Sequence, residues 1–259
     1  MSSKAVPRSN SRKPHGATRA TLEESVAVLR GIGPRIAERL ARLGVHTVGD
    51  LLCLLPIRYE DRTELRPLGS LRPGEKVLAE GKIELAEVIY RGRRAMLCRI
   101  SDGTGAITLR FFHFSRAQQN NLVRGATLRC FGEVRAGPTG REMVHPEYRL
   151  VGPDTEPPSD VLTPVYPTTE GLHQQRLRSL AAQALDVLEQ APLTDYLADR
   201  LPEDSPRLAE ALKFLHGPPQ GTELESLSSR RHPCQLRIAL EELVAQRLSL
   251  LRINLDRQR

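Results

Sequence analysis

The segment from Leu109 to Ser115 reads Leu-Arg-Phe-Phe-His-Phe-Ser and carries the clearest chemical signal in the chain. Read as a strand with a two-residue period, it predicts an inward set of Ile107, Leu109 and Phe111. The opposite face would carry Thr108, Arg110, Phe112 and Phe114. Rings beside an arginine suit a nucleic-acid base, which stacks on a ring while its phosphate lies near the cation. The alternative is that both faces are buried, as in a small closed barrel covered by helices.

Two further groups of residues suit phosphate contacts. Arg91, Arg93 and Arg94 flank a predicted hairpin tip and form a candidate clamp, although charged tips also serve solubility. The stretch Gly31–Gly33 ahead of a helix resembles the turn of helix-hairpin-helix modules, where glycines allow close approach and helix N-terminal amides meet a phosphate. A plain tight turn is the alternative. Arginines on the following helix would extend the positive surface: Arg35, Arg39 and Arg42.

The composition favours a soluble protein with a polyanionic partner. The 259 residues carry a formal net charge of +7, and two or three compact units are expected. A basic protein without such a partner is the alternative reading of the charge. No apolar run is long enough for a membrane helix, and the N-terminus lacks the apolar core of a secretory signal. The scattered cysteines indicate free thiols in a reducing cytoplasm: Cys53, Cys98, Cys130 and Cys234.

Helical signals come first along the chain. A disordered basic tail is predicted at residues 1–20 and a helical module at residues 21–75. Pro34 suits the first turn of a helix that Gly44 ends. The stretch Thr47–Asp50 then gives a capping-box-like start to a second short helix, which Pro56 ends. This module would carry the Gly31–Gly33 turn.

The hydrophobic period changes to two between residues 76 and 152. Turn signals separate five predicted strands: Lys76–Glu87, Arg93–Ser101, Ala106–Phe114, Thr127–Arg135 and Glu142–Leu150. Helical character appears only between Ser115 and Leu122. Five strands with a helix between the third and fourth is the order of an OB-fold. We therefore predict an α+β chain with a five-stranded OB-fold barrel between helical parts.

Residues 153–259 are predicted to form a helical linker after a proline-rich break. Leucines at helical spacing predict three helices, beginning near Leu172, Leu208 and Leu236. The apolar positions of the last helix are interpreted as core or domain-packing positions: Leu236, Leu240, Leu243, Val244, Leu248 and Leu251. Because the heptad pattern is not sustained, an oligomer seam is disfavoured and we expect a monomer.

Enzyme signatures are missing from the sequence. Gly81-Lys82 is followed by Ile83 within a predicted strand, so it is no phosphate loop, and the common hydrolase and zinc-protease motifs are absent. The polar stretch Arg58–Arg62 is interpreted as a salt-bridged connector between domains, because no nucleophile or metal ligand lies nearby. His145 is interpreted as a hydrogen-bonded structural histidine. We expect neither a cofactor nor a metal in this chain.

Several ordered blocks carry a family resemblance: Leu29–Gly33, Thr47–Leu52, Leu55–Arg62, Ile100–Gly105, Leu109–Ser115, Met143–Tyr148 and Leu162–Gly171. The block Thr-Pro-Val-Tyr-Pro-Thr-Thr-Glu-Gly is particularly specific. With similar gaps from about Leu29 to Arg252, the chain is similar to the N-terminal, wedge-bearing part of the RecG family of replication-fork helicases. In that family an OB-fold wedge splits the strands of a branched DNA junction, and two ATP-driven motor lobes follow.

The resemblance implies roles for individual residues. A wedge aromatic stacks on the base exposed at the branch point, and Phe112 matches it, with Phe114 assisting. Some relatives carry a second aromatic slightly further on, where this chain reads Phe114-Ser-Arg116. From the residues themselves, we predict phosphate contacts by Arg110, Arg91, Arg93, Arg94, Arg116, Gly31, Gly33 and Arg35. The sequence ends at Arg259, before any motor motif, which is expected of a fragment or of a truncated gene product. The resemblance therefore implies ATP and Mg²⁺ only for the motor domains.

We therefore predict a branched-DNA-binding wedge of a helicase that acts on stalled replication forks and Holliday junctions in repair and recombination. This chain alone would bind and split junctions without hydrolysing ATP. The alternative is an OB-fold interaction module that docks an acidic peptide, such as the tail of a single-stranded-DNA-binding protein. A more distant alternative is an RNA-binding OB domain, which would prefer single strands to junctions.

Overall fold

The computed structural model describes residues 20–90, 94–138, 140–191 and 193–258. These residues form two compact units. The first unit joins the described residues up to Leu54 with Thr168–Asp195, and the second joins Leu55–Pro167 with the described residues from Tyr196 onward. The predicted tail at residues 1–20 lies outside the described residues except for Ala20. The predicted domain boundaries stay predictions.

Two helices come first along the described chain, a block of strands interrupted by one helix follows, and four helices come last. The helices are α1 (Pro34–Ala41), α2 (Val48–Cys53), α3 (Arg116–Asn121), α4 (Gln174–Gln190), α5 (Leu208–His216), α6 (Leu224–Ser228) and α7 (Pro233–Arg257). The strands are β1 (Arg58–Glu60), β2 (Lys76–Ile89), β3 (Ala95–Ser101), β4 (Ala106–Phe111), β5 (Thr127–Gly137), β6 (Gly140–Val144), β7 (Glu147–Val151) and β8 (Thr163–Val165). Short 3₁₀ turns lie at Val26–Val28, Leu68–Ser70 and Ala198–Arg200.

The first unit is helical, and the two short helices predicted before Pro56 are confirmed as α1 and α2. Pro34 occupies the first position of α1, and Gly44 adopts a φ of +76° in the turn that follows it. The capping box of α2 is confirmed, because the Asp50 amide donates to Thr47 Oγ1 at 3.0 Å and the Thr47 amide donates to Asp50 Oδ2 at 2.9 Å. Such reciprocal bonds satisfy two amides that the first helical turn leaves without partners. The predicted helix from Leu172 is confirmed as α4, which packs against α2.

The second unit is built on a six-stranded sheet. The strand order is β2-β3-β4-β6-β5-β7, and β2 pairs with β5 as well as with β3. The pairing of β4 with β6 is parallel, and the other pairings are antiparallel. The helical segment predicted after Ser115 is confirmed as α3. Strands β1 and β8 form a separate two-stranded pair.

The prediction of five strands was wrong in number. The predicted fifth strand, Glu142–Leu150, is divided into β6 and β7 at His145 and Pro146. His145 has a φ of +49°, which a continuous strand does not permit. The predicted third strand also ends early, at Phe111 rather than Phe114. Both departures occur at the same corner of the sheet.

One hydrophobic core of the second unit is formed mainly by the strands of this sheet. The predicted inward set of β4 is confirmed, since Ile107, Leu109 and Phe111 are each at most 2% exposed. All four cysteines are free, as predicted, and Cys98 and Cys130 fill the core. Burial raises the pKa of the Cys98 thiol to about 11 and that of Cys130 to about 12, so both stay protonated at neutral pH.

The polar stretch Arg58–Arg62 forms a salt-bridged cluster, as predicted, and the described partners of its ion pairs lie in the second unit. Its role as a connector between domains stays a prediction. Arg62 lies 2.6 Å from Glu60 and donates to both carboxylate oxygens of Glu147, at 2.7 and 3.0 Å. Lys76 lies 3.2 Å from Glu60. Burial raises the pKa of Glu60. Hydrogen bonds and charge from Arg62 and Lys76 together lower this pKa by more than burial raises it, so the net pKa lies below its ordinary value. The guanidinium carbon of Arg62 also lies 3.9 Å from the ring centroid of Phe131.

The predicted helices beginning near Leu208 and Leu236 are confirmed as α5 and α7, which pack together. The six apolar α7 positions were interpreted as core or domain-packing positions; the core part was wrong for four of them, and domain packing stays a prediction. Leu236, Leu243, Leu248 and Leu251 are between 41% and 62% exposed. Among the described residues, no helix combines the length and apolar character that crossing a bilayer requires.

Candidate nucleic-acid interface

The chain leaves the sheet at the end of β4. Phe111 is the last strand residue and is 2% exposed, whereas the next ring, Phe112, is half-buried. The Phe112 amide donates to Nε2 of His145 at 3.2 Å. Neighbouring phenylalanines therefore differ in environment, with one ring in the core and the other at the surface.

His145 forms the opposite side of this corner. Its amide donates to the Arg110 carbonyl at 2.8 Å, which extends the parallel pairing of β4 and β6. Its imidazole lies 5.8 Å from the Phe112 ring, at 48°, and 5.8 Å from the His113 ring, at 21°. His113 and His145 are both exposed. We call Phe112, His113 and His145 the aromatic corner.

Neither histidine is among the site residues predicted from the sequence. His113 stands within the Leu109–Ser115 block and His145 within the Met143–Tyr148 block, so the resemblance contained a signal for each. What it lacked was the parallel pairing of β4 with β6, which brings the two blocks together. Residues 33 positions apart meet only once that pairing is known.

Phe114, the predicted second stacking ring, is in a different position from Phe112. It is half-buried and packs against the core of the sheet. The guanidinium carbon of Arg94 lies 4.4 Å from its ring centroid, so a cation already covers one face. The role of Phe114 as a stacking platform stays a prediction.

The predicted phosphate contacts of the second unit fall into three groups. Arg94 and Arg116 are exposed, and Arg116 begins α3. Arg110 instead donates through Nε and Nη2 to one oxygen of Glu142, at 2.9 and 2.8 Å, and both side chains are at most 15% exposed. Its charge is thus balanced within the fold. Arg91 and Arg93 lie outside the described residues.

The remaining predicted contacts belong to the first unit. Gly31 adopts a φ of +83°, and Gly33 caps the N-terminus of α1 without a side chain. A Cβ added to Gly31 would lie 2.8 Å from Nη1 of Arg176, so the guanidinium of that residue rests against the turn. Arg35 is exposed in the first turn of α1. The positive φ fits the predicted turn, and phosphate contact by these residues stays a prediction.

The chemistry of these sites is that of binding. Within the described ranges, no group of three histidine, cysteine, aspartate or glutamate residues is placed to hold a metal ion. The aromatic corner offers ring faces, and the neighbouring arginines offer guanidinium groups. Ring faces stack on bases and cations contact phosphates, which is how single-stranded nucleic acid is held.

Comparison with known proteins agrees with this description. Residues 25–188 match the family model of the RecG wedge domain. ATP-dependent DNA helicase RecG of Escherichia coli K12 is 45% identical over 232 residues, which are 89% of this chain and 34% of that protein. The RecG helicase of Pasteurella multocida is 40% identical over 235 residues, covering 90% of this chain and 34% of its own length. The chain thus spans about a third of the length of these relatives.

A solved structure of RecG bound to a three-way DNA junction has the same fold. It aligns with a TM-score of 0.65 and 24% identity, over 95% of this chain and 33% of the other. The two structures therefore share the mixed α+β fold, in which helices precede and follow the strands of a six-stranded sheet. The chain belongs to the RecG wedge domain family and is homologous to the N-terminal part of that helicase.

Proposed function

We propose that this chain binds branched DNA and that its aromatic corner separates the strands at the branch point. The observation that carries the proposal is the position of Phe112. Its ring leaves the sheet beside the buried Phe111, and its main chain is tied to His145. A ring fixed at a corner supplies a flat surface for a base that has lost its pairing partner.

We also infer that the six-stranded sheet is an OB-fold barrel with one added strand. Successive pairs lead from β2 through β3, β4 and β6 to β5, which pairs back to β2, and α3 lies between β4 and β5. Strand β7 extends the sheet beyond β5. The OB-fold is a partly open Greek-key barrel that binds nucleic acids on one face and through its loops.

The helicase activity named for the relatives belongs to proteins about three times as long as the matched part. We infer that this chain supplies junction binding and strand separation, and that an ATP-driven motor supplies the movement. Stalled replication forks and recombination intermediates are the substrates that a junction wedge fits. Arginines near the corner, Arg94 and Arg116, would contact the phosphates of the separated strands.

The Phe112→Ala variant tests the wedge. Loss of one stacking ring costs about 1–3 kcal/mol per base, so fork affinity should fall by a factor of about 5 to about 150. Linear duplex has no unpaired base at a branch, and its affinity should change little. Fluorescence anisotropy with a labelled fork and a matched duplex measures both.

Tyr196→Ala is a matched control for the removal of an aromatic side chain. Tyr196 is 76% exposed and lies outside the sheet, so its removal should leave both affinities unchanged. Equal losses on fork and duplex for Phe112→Ala would remove the wedge assignment. Tighter binding to an acidic peptide than to a fork would favour the interaction-module alternative.

The salt dependence of binding tests the phosphate contact of Arg116. A cation that neutralises one phosphate displaces about one counterion, so Arg116→Gln should reduce the slope of log K against log salt by about 1. The loss should be similar for fork and duplex, unlike the loss from Phe112→Ala. Arg252→Gln, at an exposed position in α7, should leave the slope unchanged. An unchanged slope for Arg116→Gln would exclude Arg116 from the contact.

A further inference from the structure

We propose that His113 and His145 form a second base-stacking surface beside Phe112 and that His145 also positions Phe112. This proposal rests on the proposed function, because it adds two imidazoles to the same corner. It gives the chain a three-ring surface in place of the pair Phe112 and Phe114. It also gives His145 a task beyond that of a structural histidine.

The hydrogen bonding explains why His145 is needed. Strands β4 and β6 run parallel with Arg110 opposite Val144, and the His145 amide donates to the Arg110 carbonyl at 2.8 Å. In a regular parallel ladder, the next hydrogen bond would run from the Phe112 amide to the main-chain carbonyl of His145. Here imidazole Nε2 accepts it at 3.2 Å, so a side chain takes the place of a main-chain carbonyl. The Phe112 main chain is thus fixed although it no longer belongs to a strand.

The backbone turn at His145 explains why its imidazole, rather than its main-chain carbonyl, accepts from the Phe112 amide. Its φ of +49° turns the chain from β6 towards β7, and histidine is among the residues enriched in this left-handed region. A neutral imidazole that accepts at Nε2 carries its proton on Nδ1. The residue therefore needs three properties together: tolerance of the turn, an acceptor of sufficient reach, and a ring.

The two imidazoles are oriented to act as one surface. Their centroids are 5.8 Å apart and their planes differ by 21°, the geometry of an offset stack. Both are exposed, and the Phe112 ring lies 5.8 Å from His145 on the same corner. Phe114 packs on the core and is half-buried, whereas both imidazoles are exposed, which makes Phe114 the less accessible second platform. A base next to the one stacked on Phe112 would meet the imidazoles.

The first experiment changes His113, which lies outside the strands. His113→Ala should weaken fork binding by at least about fivefold, the lower end of the loss for one stacking ring, and should spare linear duplex. His113→Phe keeps a ring and should retain fork affinity. Fluorescence of 2-aminopurine placed at the branch point should be quenched by the wild type and by His113→Phe, and less by His113→Ala.

The second experiment separates the two tasks of His145. His145→Gln keeps an acceptor of similar reach and removes the ring, whereas His145→Gly removes both and tolerates the positive φ. Fork affinity should fall for His145→Gln and fall further for His145→Gly. Replacing Phe112 by alanine should cost less in the His145→Gly background than in the wild type, because the ring is then no longer held in place. Thermal unfolding shows which variants are folded.

The outcomes distinguish this proposal from the one on which it rests. If Phe112→Ala weakens fork binding selectively while His113→Ala and His145→Gly do not, the second surface is excluded and the wedge stands. If Phe112→Ala has no selective effect, the wedge and the second surface both fall. If His145→Gly and Phe112→Ala have additive effects, His145 does not position Phe112.

Discussion

Phe111→Ala should lower the free energy of unfolding of the second unit by about 3–5 kcal/mol, the usual cost of truncating a buried phenylalanine. Phe111 is 2% exposed and belongs to the core of the six-stranded sheet. Its ring lies 5.5 Å from that of Tyr148 in an edge arrangement, and alanine would lose this contact and leave a cavity. Urea unfolding followed by circular dichroism measures the change.

Phe112→Ala is the matched variant for this measurement. The same side chain is removed one residue further along, where the ring is half-buried and outside the strand. The cost should be about 1 kcal/mol or less, near that of a surface substitution. Equal destabilisation by the two variants would place Phe112 in the core and end the wedge proposal. Together the variants separate folding from binding within two adjacent residues.

The alternation of β4 could be predicted from the sequence because it is a local property. One face of a strand is buried, and a two-residue period then fixes which side chains enter the core. Ile107, Leu109 and Phe111 followed this rule. The other face was less simple, since Thr108 is only 9% exposed although it was predicted to point outward. Alternation assigns a residue to a face but does not show what covers that face.

The end of β4 could not be predicted because its cause is distant in the sequence. Phe112 leaves the strand where its amide bonds to an imidazole 33 residues away. That imidazole is in place because His145 has a positive φ between β6 and β7. A pattern of alternating residues contains neither the bond nor the turn, and so it extended the strand to Phe114. The candidate site therefore lies at the end of β4, where the alternation of residues along the sequence does not predict the structure.

Helix α7 shows the same limit in another form. Apolar residues at helical spacing predicted the helix correctly, because residues three or four positions apart lie on the same face of an α-helix. They did not predict burial, since most of these side chains are exposed within the chain: Leu236, Leu243, Leu248 and Leu251. Burial depends on the neighbouring elements, and α5 packs only against part of this long helix.

Arg62→Met should lower the free energy of unfolding at neutral pH by about 3–5 kcal/mol, the cost of removing one partner from a buried ion pair. The Arg62 and Glu60 side chains are 13% and 10% exposed, and methionine would leave the Glu60 carboxylate with Lys76 as its nearest remaining cation. The bidentate contact with Glu147 and the cover over Phe131 would also be lost. Arg58→Met is the control, because Arg58 is 56% exposed and 3.7 Å from Glu60. It should cost less than about 1 kcal/mol, as exposed pairs do.

The deficit of Arg62→Met should depend on pH in a direction that the ion cluster fixes. The pKa of Glu60 is lowered in the wild type, so its pairing stabilises the fold above the ordinary carboxyl pKa of 4.5 and is lost as the pH falls through the lower folded value. Without Arg62, burial raises the Glu60 pKa, and protonation then relieves the variant. The difference in unfolding free energy between wild type and variant should therefore be largest at pH 7. It should begin to shrink above pH 4.5, as the pH falls through the raised Glu60 pKa of the variant, and continue to shrink below 4.5 as the wild-type carboxylate is protonated. Urea titrations at a series of pH values measure it, and a constant difference would show that packing on Phe131, rather than charge, makes Arg62 important.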